Sequence, residues 1–199
     1  MSSTVTTIPN LLTIGRIVAV PGIVAAFYLE APLANWLALG LFAAASITDF
    51  FDGWLARKMN AQTKLGQLLD PIADKLLVSA ALLVLVWVGH INGLSVIAAV
   101  IILCREILVS GLREFLAGAQ VSVPVTQLAK WKTTVQMFAL GFLLAGPAGD
   151  AVLPGNTMIG LTGLWIAALL TLITGYGYLS SGLTHIIAED ERAARAKQN

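Results

Sequence analysis

Long apolar stretches, separated by short polar breaks, make up most of the chain. A helix of about 20 mostly apolar residues is long enough to cross a lipid bilayer. Six stretches meet this requirement: residues 11–28, 33–55, 68–88, 94–116, 135–153 and 159–187. The pattern predicts an all-α, polytopic integral membrane protein with six transmembrane helices.

The breaks between these stretches are rich in residues that favour turns. They are Glu30-Ala31-Pro32, residues 89–93, residues 146–150 and Pro154-Gly155-Asn156. No internal repeat or soluble segment divides the chain, so we expect one domain over residues 1–199, with a juxtamembrane segment at 1–10 and a cytoplasmic tail at 188–199. The first 15 residues contain no Lys or Arg, so a cleavable signal peptide with a basic start is not expected.

Basic residues are distributed unevenly between the two sides of the predicted bundle. They lie between the second and third stretches, between the fourth and fifth, and after the sixth: Arg57, Lys58, Lys64, Arg113, Lys130, Lys132, Arg192, Arg195 and Lys197. The three opposite breaks contain no Lys or Arg. Because Lys and Arg are enriched on the cytoplasmic side of membrane proteins, both termini are predicted to be cytoplasmic.

The composition supports the membrane class and excludes several others. Hydrophobic residues make up 57% of the chain and charged residues 12%, whereas soluble domains average roughly 45–50% and about 25%. The net charge of +1 does not suggest a nucleic-acid partner. The single cysteine, Cys104, excludes an internal disulfide and a zinc site built from several cysteines.

Four aspartates interrupt the apolar pattern near the end of the second stretch and the start of the third: Asp49, Asp52, Asp70 and Asp74. A carboxylate at the centre of a bilayer costs about 2.5–3.5 kcal/mol, and less near the interface. The spacings of three and four residues place each pair on one helix face. Because a short loop joins the two helices, we expect antiparallel neighbours on which the four carboxylates converge.

Four ionised carboxylates in one place repel one another, by about 4 kcal/mol per pair at 4 Å and an effective dielectric constant near 20. Oxygen ligands favour Mg²⁺, Mn²⁺ or Ca²⁺ over zinc, and two such ions would neutralise the cluster. Alternatively, the aspartates cap helices or pair with Arg57, Lys58 and Lys75. Asp70-Pro71 has the pattern of an N-cap followed by a proline in the first helical position.

Small residues and an arginine lie between the two aspartate pairs. Gly53, Ala56 and Gly66 leave room for a ligand beside the backbone. The planar guanidinium of Arg57 matches phosphate oxygens. Together with divalent cations, these residues favour a nucleotide that contains a pyrophosphate.

The segment from Asp49 to Asp74 reads D-x-x-D-G-x-x-A-R-x8-G-x3-D-x3-D and resembles the motif of the CDP-alcohol phosphatidyltransferases. Members of this family transfer a phosphatidyl group from CDP-diacylglycerol to an alcohol and release CMP. The resemblance implies that Asp49, Asp52 and Asp70 hold two divalent cations, Mg²⁺ or Mn²⁺, and that Asp74 is the general base and a further metal contact. It also implies contacts to the CDP moiety from Gly53, Ala56, Arg57, Thr63 and Gly66.

A second, basic cluster lies on the fourth and fifth stretches. Arg105 and Arg113 are eight residues apart, which places them about 80° apart on one broad helix face. They either balance the charge of the aspartates or form a pocket for a phosphate group on the acceptor. Lys130 and Lys132 open the fifth stretch, and one or both of them are expected to bind the same phosphate. They lie about 200° apart, which predicts that only one of them points inward.

Three further motifs resemble one branch of the family, whose acceptor is sn-glycerol 3-phosphate. They are N-x-L-T-x-x-R from Asn10 to Arg16, R-E-x-x-V-x-x-x-R from Arg105 to Arg113, and K-x-K-T from Lys130. The resemblance implies that Asn10, Thr13 and Arg16 lie at the nucleotide end of the cleft.

The resemblance also implies a location in the cell inner membrane, with an active site that faces the cytoplasm, lipid around the helices, and a homodimer. Family members that use inositol phosphate, serine or phosphatidylglycerol remain alternatives. Two other classes of protein are also alternatives: a divalent-cation or proton-coupled transporter, and a structural membrane scaffold. Transporters place their sites near the midplane at broken helices of internal repeats, and this chain has no such repeat.

Overall fold

The computed structural model describes residues 8–59, 64–118 and 127–196, and these residues form helices and turns without a strand. The helices are α1 Ile8–Ala26, α2 Leu33–Met59, α3 Lys64–Trp87, α4 Ser95–Gly118, α5 Gln127–Asp150 and α6 Asn156–Ala196. The all-α prediction is confirmed for this part of the chain.

Several helices extend beyond the apolar stretches that predicted them. α5 begins at Gln127, ahead of the expected start at residue 135, and α6 continues to Ala196 through most of the expected tail. The polar ends are not detected by hydropathy, although nothing in their sequence breaks a helix. α6 has 41 residues and is therefore about 60 Å long, roughly twice the hydrocarbon thickness of a bilayer.

The order of packing differs from the one expected for α2 and α3. Within the described residues, α1 packs against both α2 and α3, while α2 and α3 do not form a packed pair. A short loop fixes only the ends that it joins, so α1 can lie between the two helices over the rest of their length. Ile23 of α1, Phe42 of α2 and Leu85 of α3 belong to one buried core. The remaining helices complete the bundle, with α5 on α6, α4 on α6 and α2 on α5.

The outer faces of the helices are apolar. Large side chains such as Leu83 on α3, Ile107 on α4, Phe138 on α5 and Ile173 on α6 are more than half exposed. Ser95–Leu116 and Asn156–Ser180 are long and apolar enough to cross a membrane, and Leu11–Ala26 and Leu33–Asp49 are shorter apolar stretches. This surface suits a lipid environment, because helices at a water-facing surface carry polar outer faces.

A kink in α5 replaces one of the predicted breaks. Gly146 has φ 48° and ψ −136°, and the helix resumes after it as far as Asp150. A Cβ at Gly146 would lie 2.3 Å from a ring carbon of His90, whose Nδ1 donates to the carbonyl of Leu143 at 2.8 Å. Asn156 Nδ2 donates to the carbonyl of Gly146 at 3.1 Å. The chain therefore needs a glycine at the kink, both for the backbone angle and for the close approach of the imidazole.

Candidate active site

The guanidinium of Arg16 lies among the aspartates. Its Nη2 is 2.7 Å from Asp49 Oδ1 on α2, and its Nη1 donates to Asp74 Oδ1 on α3, also at 2.7 Å. One turn earlier on α1, the hydroxyl of Thr13 donates to Asp70 Oδ1 at 2.7 Å. Because α1 lies between α2 and α3, its polar face connects carboxylates from both neighbours.

This arrangement connects three of the four predicted aspartates to α1 through Thr13 and Arg16. Arg16 is 1% exposed, whereas the side chains of Asp49 and Asp74 are 45% and 53% exposed. A buried guanidinium is costly unless it is paired. The two carboxylates pair with it, and about half of each aspartate side chain remains exposed. The side chain of Asp52 lies outside the described residues.

Of the three expected alternative partners of the aspartates, the structure describes the side chain of Lys75 alone. Lys75 pairs with Glu114, at 3.9 Å, and the side chains of Arg57 and Lys58 lie outside the described residues. Arg16 was expected at the nucleotide end of the cleft, and its contacts to Asp49 and Asp74 were not predicted. The signal available in the sequence was an arginine three residues after Thr13, on one face of an apolar helix.

The N-cap interpretation of Asp70 is wrong. α3 begins at Lys64, so that Asp70 and Pro71 lie inside the helix. Pro71 has no N–H to donate to the preceding turn, and α3 tolerates the loss of this one bond near its start. The Asp70 carboxylate instead accepts a hydrogen bond from Thr13, which ties α3 to α1.

The donor set is chemically suited to a hard divalent cation. Asp49, Asp70 and Asp74 offer only carboxylate oxygens, the ligands that Mg²⁺ and Mn²⁺ prefer. Among the described side chains, no three carboxylate, imidazole or thiolate groups are already gathered as a metal-binding group. Arg16 supplies the positive charge in their midst in this structure.

A cavity of about 980 Å³ joins the acidic and basic clusters. Asp49 and Asp74 line it, and so do Arg105, Arg113 and Lys132. Asp70 is not among the lining residues, and neither is Lys130, which is exposed. The expectation that one of the two lysines points inward therefore agrees with the side-chain positions, and the inward one is Lys132.

Arg105 lies on α4 and contacts α6, and among the described residues it has no recorded contact with an aspartate. Its Nη2 donates to the hydroxyl of Thr174 at 3.0 Å, and its guanidinium lies over the ring of Tyr178 at 5.9 Å. Its Nη1 is 3.6 Å from Glu106 Oε1. Gly175 makes room for the aliphatic stem, since a Cβ there would lie 3.1 Å from Arg105 Cγ. The direct ion-pair partner of Arg105 is thus a glutamate, while Arg16 balances the aspartates.

Three residues of this basic region, Glu106, Thr174 and Tyr178, were missed by sequence reasoning. Glu106 forms an ion pair with the ammonium of Lys132. Thr174 and Tyr178 are four residues apart on one face of α6. The sequence signal for these residues was polar side chains at helical spacing inside an apolar stretch. Hydropathy does not identify which neighbouring helix such side chains face.

The other predicted site residues are described only in part. Gly66 is buried in α3. Asn10 lies in α1 and residues 53–57 lie in α2, but the side chains of Asn10, Ala56 and Arg57 and the surroundings of Gly53 lie outside the described residues. Thr63 lies outside them altogether.

The sequence model of the CDP-alcohol phosphatidyltransferase family matches residues 6–174, and the chain belongs to that family. The resemblance seen in the aspartate motif is therefore confirmed. Because members of this family transfer phosphatidyl groups, the chain is an enzyme of the transferase class, and the transporter and scaffold alternatives are excluded.

Curated relatives cover most of the chain. A protein of Rickettsia bellii named CDP-diacylglycerol–glycerol-3-phosphate 3-phosphatidyltransferase is 52% identical over 174 residues, 87% of this chain and 94% of the relative. A protein of the same name from Cereibacter sphaeroides is 39% identical over 219 residues, 93% of this chain and 98% of the relative. A cardiolipin synthase (CMP-forming) from Oryza sativa is 40% identical over 188 residues, which make up 89% of this chain and 54% of the relative.

Proposed function

We propose that this chain transfers the phosphatidyl group of CDP-diacylglycerol to sn-glycerol 3-phosphate, forming phosphatidylglycerophosphate and CMP in phospholipid biosynthesis. The observation that carries the proposal is the single cavity lined by Asp49 and Asp74 and by three basic side chains. Such a cavity can hold two anionic reactants beside each other. The names of the relatives from Rickettsia bellii and Cereibacter sphaeroides support this acceptor.

The donor occupies the acidic side of the site in this proposal. Asp49, Asp52 and Asp70 hold two divalent cations, Mg²⁺ or Mn²⁺, and Asp74 is a further ligand. When bound, the cations neutralise the pyrophosphate and the charge that develops on the departing CMP. Thr13 and Arg16 position the carboxylates through the contacts described above. The contacts to the CDP moiety come from Asn10, Thr13, Arg16, Gly53, Ala56, Arg57, Thr63 and Gly66.

The acceptor occupies the basic side. Its phosphate binds Arg105, Arg113 and Lys132, with Lys130 outside the cavity. Asp74 takes the proton from the far hydroxyl of the three-carbon chain. The oxygen then forms a bond to the phosphatidyl phosphorus, and the bond from that phosphorus to CMP breaks. Asp74 is suited to this step because it lines the same cavity as the basic groups.

The position of the cavity supports an orientation of the chain in the inner membrane. We infer six membrane spans with both termini and the active site on the cytoplasmic side, because the basic residues of the breaks lie at the cavity end of the helices. α3 and α5 can span although they carry charges, since Asp74 and Lys132 face the cavity. The chain acts as one domain over residues 1–199, surrounded by membrane lipid, and as a homodimer.

A second acceptor has a specific observation in its favour. The relative from Oryza sativa is named a cardiolipin synthase, and such an enzyme uses phosphatidylglycerol in place of glycerol 3-phosphate. The basic cluster favours glycerol 3-phosphate, since its phosphate is a dianionic monoester, whereas phosphatidylglycerol offers a monoanionic diester.

The deciding experiment measures CMP release from CDP-diacylglycerol by the purified protein in detergent with Mg²⁺ or Mn²⁺. Glycerol 3-phosphate, inositol 1-phosphate, inositol, serine and phosphatidylglycerol are supplied in turn. We expect glycerol 3-phosphate to give the highest rate. A preference for serine or uncharged inositol would refute the phosphate subsite, and a preference for phosphatidylglycerol would establish the second candidate.

A further inference from the structure

Glu106 contacts two of the basic side chains that line the cavity, Arg105 and Lys132. It lies on α4 and is itself a lining residue. Its carboxylate forms an ion pair and hydrogen bond with Lys132 Nζ on α5 and lies 3.6 Å from Arg105 Nη1. Glu106 has no role in the proposed proton transfer, in cation binding or in the proposed contacts to the acceptor. A carboxylate would by itself repel an anionic acceptor, so its place in this subsite requires a reason.

The reason lies in the burial of Lys132. This residue is 3% exposed, and leaving an ammonium unpaired at such a site would be strongly unfavourable. Arg105 has further support from Thr174 and Tyr178 on α6. Among the described residues, the recorded partner of the Lys132 ammonium is Glu106. Without Glu106, Lys132 would therefore lose its proton or turn away from Arg105, which carries the same charge.

The charge of the subsite points in the same direction. Arg105, Arg113 and Lys132 contribute three positive charges, and Glu106 removes one of them. The two that remain match the charge of a phosphate dianion. Glu114 also lines the cavity, but it pairs with Lys75 and leaves this balance unchanged.

We propose that Glu106 is a positioning residue of the acceptor subsite, which holds the Lys132 ammonium and the Arg105 guanidinium side by side for the acceptor phosphate. This inference rests on the proposed function. Glu106 acts through these two cations and does not take part in proton transfer.

The test compares two identical substitutions on the same helix. Glu106→Gln and Glu114→Gln each remove one negative charge from the cavity lining, but only Glu106 contacts Lys132 and Arg105. We expect Glu106→Gln to raise the KM for glycerol 3-phosphate by about 10–150-fold, the range for losing a charge-assisted contact. The KM for CDP-diacylglycerol and the kcat at saturating acceptor should change little. Glu114→Gln should leave all three constants close to those of the unaltered protein.

A double variant separates positioning from other roles. If Glu106 acts through Lys132, then Glu106→Gln should add little to the defect of Lys132→Met, because interacting residues are not additive. A full, additive loss in the double variant would overturn the proposal. If Glu106→Gln alone does not fold, adding Lys132→Met removes the unpaired buried charge and should restore a monodisperse protein. Failure of the double variant to fold, where Lys132→Met folds, would also overturn it.

The outcomes distinguish the two proposals. If the unaltered protein releases CMP with glycerol 3-phosphate and Glu106→Gln has a normal KM for it, only the positioning role of Glu106 is refuted. If the unaltered protein shows no CMP release that depends on glycerol 3-phosphate, the proposed function is refuted. The role of Glu106 in the acceptor subsite is then refuted as well.

Discussion

The two ends of the helix bundle use polar side chains in different ways. At the end that contains the α5 kink, amide and imidazole groups bind backbone carbonyls: Asn35 binds Leu144 at 3.0 Å, His90 binds Leu143 at 2.8 Å and Asn156 binds Phe142 at 2.9 Å. At the cavity end, charged side chains pair with one another, as Arg16 does with Asp49 and Asp74. The first pattern stabilises the packing at that end of the bundle, because the side-chain donors bind backbone carbonyls and are not available to a ligand.

The second pattern leaves binding capacity in place. Asp49 and Asp74 each use Oδ1 for Arg16 and remain about half exposed. Carboxylates that are partly paired and partly open can accept a cation or a proton, which fully buried amides cannot do. The comparison predicts that substitutions at the cavity end change turnover, whereas substitutions at the kink end change stability.

The largest effect is expected from the aspartates assigned to the cations. Asp49→Asn or Asp70→Asn should abolish CMP release while the protein still inserts and purifies, because a neutral amide is a poor ligand for a hard divalent ion. The matched control is Asp150→Asn at the kink end, where the carboxylate accepts a hydrogen bond from the amide of Thr157 at 3.1 Å. That variant should retain turnover.

Chelation tests the same step without a mutation. Excess EDTA should stop CMP release, and added Mg²⁺ or Mn²⁺ should restore it. Full activity in EDTA would refute the assignment of the aspartates to divalent cations and would leave Arg16 as the cation of the site.

The next effect concerns the general base. Asp74→Asn preserves the size of the side chain and removes its capacity to accept a proton, so CMP release should fall by about 10²–10⁴-fold. Binding of CDP-diacylglycerol, measured by equilibrium dialysis of a labelled donor, should persist. A near-normal rate would show that Asp74 does not take part in proton transfer. A loss of CDP-diacylglycerol binding would show that its main role is to bind a metal ion.

A smaller effect is expected on the basic side of the cavity. Arg105→Ala should lower kcat/KM for glycerol 3-phosphate by about 10–150-fold, since a charge-assisted contact contributes about 1.5–3 kcal/mol. Lys130→Ala removes a charge that lies outside the cavity and should have little effect. Equal losses in the two variants would indicate general attraction of the anion to a basic surface and would count against a defined phosphate subsite.

The six helices and the spacing of the aspartates along α2 and α3 were within reach of the sequence, because the first follows from hydropathy and the second from the residue numbers. The position of α1 between α2 and α3 was not, since hydropathy identifies a helix but not its neighbours. For the same reason, the contacts of Arg16 with the aspartates and of Lys132 with Glu106 appear only in three dimensions. The error at Asp70 shows that a local capping pattern can be overridden when the preceding residues continue the helix.

The smallest effect on turnover, with a clear effect on stability, is expected at the kink. Gly146→Ala forces a side chain onto a backbone with φ 48° and places its Cβ 2.3 Å from the His90 ring, so the protein should lose about 1–3 kcal/mol of stability. Gly93→Ala is the control, because Gly93 has φ 53° but no atom within 4 Å of its Cβ position. Thermal unfolding in detergent should show the larger loss for Gly146→Ala, with CMP release per folded molecule unchanged in both variants. An equal loss in the two would show that the imidazole moves aside, and a fall in turnover of folded Gly146→Ala would show that the kink end and the cavity are coupled.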